Sequence, residues 1–406
     1  MNAPQEGADS RARRQGRLIL LLLALFPLGV LVQQLSLAFQ VLLGSPLNSD
    51  LPGFVAGARD MRFFYDSGLR EPLQVFFIKL GLWLSDDVER VLRLLTVLQT
   101  LVAAVLVLVA GRRLLGLAVG LLALASFCVN PVVVFYGVSG MRAPLFTALL
   151  LGFVTVLFTV HTPRRPWVAD GACGVLAALL VLTRVHAWIV VVGGLALLLL
   201  QRKVWLREFR WPTLRRAAWT LVLATVLYVP YPLLNDDRAF THPVNFWRNI
   251  ERYGEPRQFL DEPPLSTLSY VFENRTVVDV GRRVVENLWL YQTHYLPHYL
   301  RGVPGLAWLL LPGILVCILS RRLHVVGVLL LSLVQVVFIL NLNPVAGHRG
   351  VEMRFVYQSF PVALLVLWHA LAWPLGQGLL LLGQRRPALE RWIAPVARVL
   401  LPPGGR

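Results

Sequence analysis

Charge and cysteine are both scarce in this 406-residue chain. Only 15% of its residues are charged, three are cysteine, and 22 acidic side chains stand against 39 basic ones. A soluble domain carries about 25% charged residues, so the first shortage argues against that class. Cys128, Cys173 and Cys317 all lie within hydrophobic runs, which suggests neither a disulfide framework nor a thiolate metal site. The chain also lacks an internal repeat, a low-complexity tract and a soluble domain. Its first apolar run follows Arg11, Arg13, Arg14 and Arg17, exceeds a signal-peptide core in length, and has no small-residue cleavage site behind it. It therefore reads as a retained anchor.

What the chain has in abundance is apolar surface. Hydrophobic residues make up 56% of it, the mean hydropathy is +0.63, and repeated runs approach the ~20 apolar residues a bilayer core demands. Candidate spans fall near 18–43, 90–110, 114–130, 142–160, 167–183, 185–200, 217–234, 303–319, 324–341 and 355–374. The expected fold is an all-α integral membrane bundle of about ten transmembrane helices, polytopic, with periplasmic interfacial helices.

Charge sets the orientation. With the N-terminus inside and the spans alternating, the inside segments carry the four arginines above, then Arg112, Arg113, Arg164, Arg165, Arg202, Lys203, Arg207, Arg210, Arg215, Arg216, Arg321, Arg322, Arg385, Arg386, Arg391, Arg398 and Arg406. Against them stand only Glu6, Asp9, Glu208 and Glu390, and the remaining charges balance, so the net charge of +17 falls on the inside. A pI near 10.9 is then an orientation signal with some attraction to anionic membrane lipids, and no nucleic-acid partner is implied. The abundance of Leu, Val, Gly and Arg fits a bacterial inner (plasma) membrane protein, multi-pass, with both termini cytoplasmic.

The organisation that follows is a cytoplasmic basic N-terminus at 1–17, an N-terminal transmembrane module at 18–234 that includes an outer loop at 44–89, a periplasmic cap at 235–301, C-terminal transmembrane helices at 302–375, and a cytoplasmic basic tail at 376–406. Residues 72–85 measure ~21 Å as a helix, short for a ~30 Å core, and read as interfacial. Within the same loop Phe54, Ala58, Met61 and Tyr65 form an apolar stripe on a helix whose other faces carry Arg59, Arg62 and Asp66. Pro52 suits the first turn and Asp50 the cap before it.

Charges at the mouth of a membrane protein are costly and tend to be functional. Here Asp50, Arg70, Glu71, Arg142, Arg184, Arg349, Glu352 and Arg354 all come at outer span ends or in outer loops. A transporter would place polar groups near the midplane of broken helices, often in two related halves. Two readings stand for Asp50, a catalytic base or a plain helix cap. For Arg70, Arg142, Arg184 and Arg354 the readings are phosphate binding through the guanidinium fork and snorkelling to the headgroups. Glu71 is a partner for Arg70, an acceptor contact, or a turn-side carboxylate. His294 and His298 would share a helix face as two metal ligands, but with Tyr291, Tyr295 and Tyr299 interleaved an interfacial aromatic belt is the better reading. Asn274-Arg275-Thr276 matches an N-glycosylation acceptor, a triplet common by chance.

The ordered series of these residues resembles the polyprenyl-phosphate-sugar-dependent glycosyltransferases of the GT-C membrane fold, including bacterial lipid A aminoarabinose transferases and protein O-mannosyltransferases. Asp50, then Ala58-Arg59-Asp60-Met61, then Arg70-Glu71-Pro72-Leu73 follow that family's first outer loop. Leu92-Arg93-Leu94-Leu95, Gly111 to Gly116, Asn130-Pro131 through Arg142-Ala143-Pro144-Leu145, Leu182-Thr183-Arg184 and Met353-Arg354-Phe355 continue the likeness. Leu51 stands where the family usually has a second acidic residue, and Leu73 where it has a second proline.

The resemblance implies a GT-C-like bundle that transfers a sugar, with inversion, from a polyprenyl-phosphate-linked sugar donor to a lipid, glycan or protein acceptor at the periplasmic face. It implies Asp50 as the base, and Arg59, Arg70, Glu71, Arg142, Arg184 and Arg354 as substrate- and phosphate-binding residues. No cofactor is required by these residues, and a divalent metal is left open. A non-catalytic lipid or solute transporter and a polysaccharide ligase or polymerase remain as alternatives.

Overall fold

A computed structural model describes residues 3–44, 51–67, 71–159, 166–201, 211–235, 269, 276–301, 303–334 and 356–401. Among them the regular structure is helical and no strand occurs. In chain order the helices are α1 (Ala3–Leu42), α2 (Leu51–Asp60), α3 (Pro72–Leu84), α4 (Val88–Leu114), α5 (Leu117–Cys128), α6 (Pro131–Gly137), α7 (Ala143–Thr159), α8 (Pro166–Thr183) and α9 (Ala187–Leu200). There follow α10 (Trp211–Tyr228), α11 (Pro230–Leu234), α12 (Val277–Leu290), α13 (Leu296–Tyr299), α14 (Leu310–Leu319), α15 (Leu323–Val334), α16 (Phe360–Arg385) and α17 (Pro387–Leu400).

Among the described residues five stretches are long and apolar enough to cross a membrane: Leu22–Leu42, Val88–Leu114, Pro166–Thr183, Trp211–Leu234 and Tyr357–Arg385. α5 and α6 make a sixth if taken together, with a bend of 67° between them. Other expected spans coincide with shorter apolar helices at Ala143–Thr159, Ala187–Leu200, Pro304–Leu319 and Leu323–Leu333. Pro72–Leu84 belongs to the same shorter class.

Small residues let these helices approach closely, as membrane packing favours. A Cβ on Gly111 of α4 would lie 2.5 Å from the Gly120 Cα of α5, so both positions exclude any side chain. The bend after α5 is built by Asn130, whose Oδ1 accepts from Val132 N at 2.9 Å and caps α6, while its Nδ2 donates to the Tyr299 carbonyl. One continuous core runs from Leu31 in α1 to Ala372 in α16. The expected N-terminal module and C-terminal helices thus share a single interior, and the expected boundary at 375/376 falls inside α16. α17 packs back on α16, where Leu401 closes over Gly376.

Two sequence expectations need correction. The stripe helix ends at Asp60 rather than running on to Asp66, and Arg62 N donates to Asp66 Oδ2 at 3.3 Å in the turn beyond it. Phe54, Ala58 and Met61 of the stripe share one face, and that face is buried within the protein. Secondly, Asp170 pairs with two of the arginines expected on the inside and so counts with them. Its carboxylate accepts from Arg215 Nε at 2.9 Å and Arg216 Nε at 3.0 Å, joining α8 to α10 and lowering the inside excess by one charge. A carboxylate in an apolar helix needs such partners, and these are at the same end of the bundle.

Candidate functional site

A small second core seats the outer loop. Leu51, Phe54, Val55, Ala58 and Met61 of α2 and the turn after it pack against Val75 and Ile78 of α3, Leu92 of α4, and Met141. Gly140 allows this packing: its φ is +77°, and a Cβ there would lie 2.9 Å from Leu51 Cδ1. A left-handed backbone in so little space favours glycine. The head of α2 is therefore held two residues from Arg142. The loop is tied elsewhere too, since Tyr65 OH donates to the Leu227 carbonyl and Asn235 Nδ2 to the Tyr65 carbonyl, both at 2.7 Å. Lys79 Nζ donates to the Met61 carbonyl.

Glu71 occupies the N-cap position of α3 with Pro72 as the first helical residue, yet its side chain makes no cap bond. Its carboxylate instead pairs with Arg142, the residue preceding α7. Arg142 Nη1 also donates to the Thr183 carbonyl at 3.3 Å, and its guanidinium lies 5.3 Å from the centre of the Phe54 ring. That ring-face contact fixes the planar fork in orientation.

Thr183 ends α8, and the next residue, Arg184, is buried. Arg184 Nη1 donates to Gln358 Oε1 at 3.1 Å, while Gln358 Nε2 donates to the Ser332 carbonyl at 3.0 Å. The Arg184 guanidinium sits 5.2 Å from the Phe146 ring centre, and the His186 ring lies 5.7 Å from the same ring. His186 occupies the turn between α8 and α9. Burial, then the positive charge of Arg184 and of Arg142, holds its imidazole well below the usual histidine range.

The structure thus brings together Glu71, Arg142 and Arg184 out of the residues expected from sequence. Arg59 is exposed in the last turn of α2. Asp50, Arg70 and Arg354, with Arg349 and Glu352, lie outside the described residues. The reading of the sequence missed His186, Phe146 and Gln358. A signal was present for the first, because Arg184-Val185-His186 puts a titratable ring at the same span end as an expected arginine. Gln358 carried none; only packing brings it to Arg184.

His294 makes an edge-on ring contact with Tyr295 at 5.4 Å, and His298 Nε2 is 2.8 Å from Arg301 Nη2. Among the described residues no group of three or more His, Cys, Asp or Glu could hold a metal ion. Chemically, the cluster offers two guanidinium groups, one carboxylate and one neutral imidazole, which suits an anionic ligand.

Residues 70–229 match the family model described as dolichyl-phosphate-mannose-protein mannosyltransferase. That stretch contains Glu71, Arg142, Phe146, Arg184 and His186. No curated protein sequence matches the chain. Among solved structures it resembles the archaeal oligosaccharyltransferase AglB from Archaeoglobus fulgidus in complex with an inhibitory peptide and a dolichol-phosphate, at 12% identity and a TM-score of 0.52. The apo form of the Archaeoglobus fulgidus oligosaccharyltransferase matches at 12% identity and a TM-score of 0.54. Both alignments cover 92% of this chain and 55% of the other, so the chain spans about half the length of these structures. The likeness is one of fold, and it agrees with the GT-C-like architecture expected from sequence.

Proposed function

We propose that this chain is a membrane glycosyltransferase that moves a sugar from a polyprenyl-phosphate donor to a lipid, glycan or protein acceptor at the periplasmic face of a bacterial inner membrane. The observation that carries this reading is the Glu71–Arg142–Arg184 cluster at the adjoining ends of α3, α7 and α8. It lies inside the stretch that matches the mannosyltransferase family model. The similar AglB structure contains a dolichol-phosphate, a ligand with the same lipid-phosphate chemistry.

In this reaction the acceptor oxygen attacks the anomeric carbon as the bond from that carbon to the phosphate oxygen breaks, with inversion. Asp50 takes the acceptor proton. Arg142 and Arg184 stabilise the negative charge that develops on the departing phosphate, joined by Arg70 and Arg354. One carboxylate is enough, because a phosphate leaves without a general acid. Support for Asp50 comes from its neighbour Leu51, which is buried and packs on Gly140, two residues before Arg142.

The test is lipid analysis of a deletion strain. An accumulating polyprenyl-phosphate sugar together with a missing envelope modification supports transfer. Vectorial flux with no turnover of donor would identify a transporter, and turnover of a diphosphate-linked oligosaccharide that survives loss of Asp50 would identify a ligase.

A further inference from the structure

Nε2 of His186 is fully buried and has no hydrogen-bond partner, although the residue as a whole is only partly buried. Leaving such an atom unpaired is costly, so a partner supplied from outside the protein would relieve a standing penalty. The surroundings indicate what that partner carries. Phe146 holds the imidazole at 5.7 Å and the Arg184 guanidinium at 5.2 Å, and Arg142 is fastened alongside by its bond to the Thr183 carbonyl. A guanidinium and an unfilled ring nitrogen on one aromatic ring, with a second guanidinium held at the adjoining helix end, match the oxygens of an anion.

We propose that His186 is the third donor to a lipid-phosphate group bound by Arg142 and Arg184, and that it takes up a proton from solvent as that group arrives. The inference rests on the reading of this cluster as the lipid-phosphate site. No covalent bond forms or breaks in the step; the proton adds to the imidazole, and Nε2–H donates to a phosphate oxygen.

The charged groups acting on His186 are Arg184 on its own turn and Arg142 at the head of α7, the latter paired with Glu71 at the head of α3. Without ligand, burial and the two arginines keep the imidazole neutral. A phosphodiester brings a negative charge into this set and reverses the balance, so the imidazolium becomes the favoured form. The free-state pKa is the lower of the two. Binding therefore takes up a proton at any pH between the free and bound values and strengthens as pH falls across that window, levelling off below the free-state value.

The test uses the full chain in lipid nanodiscs and farnesyl methyl phosphate, a phosphodiester with no proton of its own to lose in this range. Calorimetry at about pH 6, in two buffers of different ionisation enthalpy, counts the protons exchanged. The expected result is uptake approaching one proton, with affinity falling roughly tenfold per pH unit between the free-state and bound-state pKa values and levelling off above the latter. His186→Gln keeps a donor but cannot charge, so it should abolish the uptake and flatten the pH profile. His186→Asn serves as a second variant should the first insert poorly. Uptake that persists in either variant, or wild-type binding with no pH dependence, overturns the proposal. If Arg142→Lys and Arg184→Lys weaken binding while His186→Gln changes nothing, only the histidine role fails. If the wild type does not bind the probe at all, the lipid-phosphate reading fails with it.

Discussion

Arg142 and Glu71 are 71 residues apart in the chain and form an ion pair in which the two side chains retain 22% and 13% of their exposure. The pair joins the turn that opens α3 to the turn that opens α7. It also explains why Glu71, though placed at an N-cap, does not cap its helix: the carboxylate is engaged elsewhere.

Glu71→Gln should lower the melting temperature, because it leaves the Arg142 charge without its counterion in a half-buried setting. Loss of about 1–3 kcal/mol is expected, below the value for a fully buried pair because both groups keep some water. A double-mutant cycle with Arg142→Gln should return a favourable coupling energy. Additive single effects would mean that the pair contributes nothing.

Arg142→Lys and Arg184→Lys retain charge but remove the planar fork. Each should weaken polyprenyl-phosphate binding about tenfold in correctly inserted protein, since a lysine ammonium lacks the planar paired donors that a guanidinium presents to phosphate oxygens. Unchanged affinity in both variants, measured by titration calorimetry, would show that these arginines have only a structural role.

Asp50→Asn should abolish transfer without unfolding the protein. Asparagine caps a helix as well as aspartate, so stability is preserved, while loss of a general base lowers turnover by a factor of about 10² to 10⁴. Wild-type turnover in this variant, assayed with a labelled donor, would remove Asp50 from the mechanism.

Asp170→Asn should destabilise the bundle, because Arg216 beside it is buried and would keep an uncompensated charge. A loss of about 3–5 kcal/mol is the scale for breaking a buried pair. Reduced yield and an earlier thermal transition are the expected observations, with donor affinity unchanged in whatever folds. Replacement of the whole network by apolar residues should recover stability.

Reporter fusions after Arg113, Arg165, Arg216 and Arg322 should read cytoplasmic, and fusions within 235–301 periplasmic. A periplasmic reading at Arg113 would mean that residues 72–85 cross the membrane.

Much of the architecture was legible in the order of the residues, because apolar runs and the side on which arginines accumulate reflect transfer energies that act locally. The helical class, the apolar stripe of Phe54, Ala58 and Met61, and the start of α3 at Pro72 all follow from periodicity and from the restrictions of proline. The sequence by itself also marked Glu71, Arg142 and Arg184 as charges at span ends. Tertiary structure alone decided their partners. Glu71 meets Arg142, Arg184 meets Gln358 from 174 residues away, and Asp170 meets Arg215 and Arg216, none of which has a local pattern to announce it. Such pairings depend on which helix ends the packing brings together, and that is set by close approaches such as Gly111 against Gly120 and by the space Gly140 leaves for Leu51. His186 lies at the meeting of the two levels, since its place at a span end was written in the chain while its unfilled Nε2 between two arginines exists only in the folded bundle.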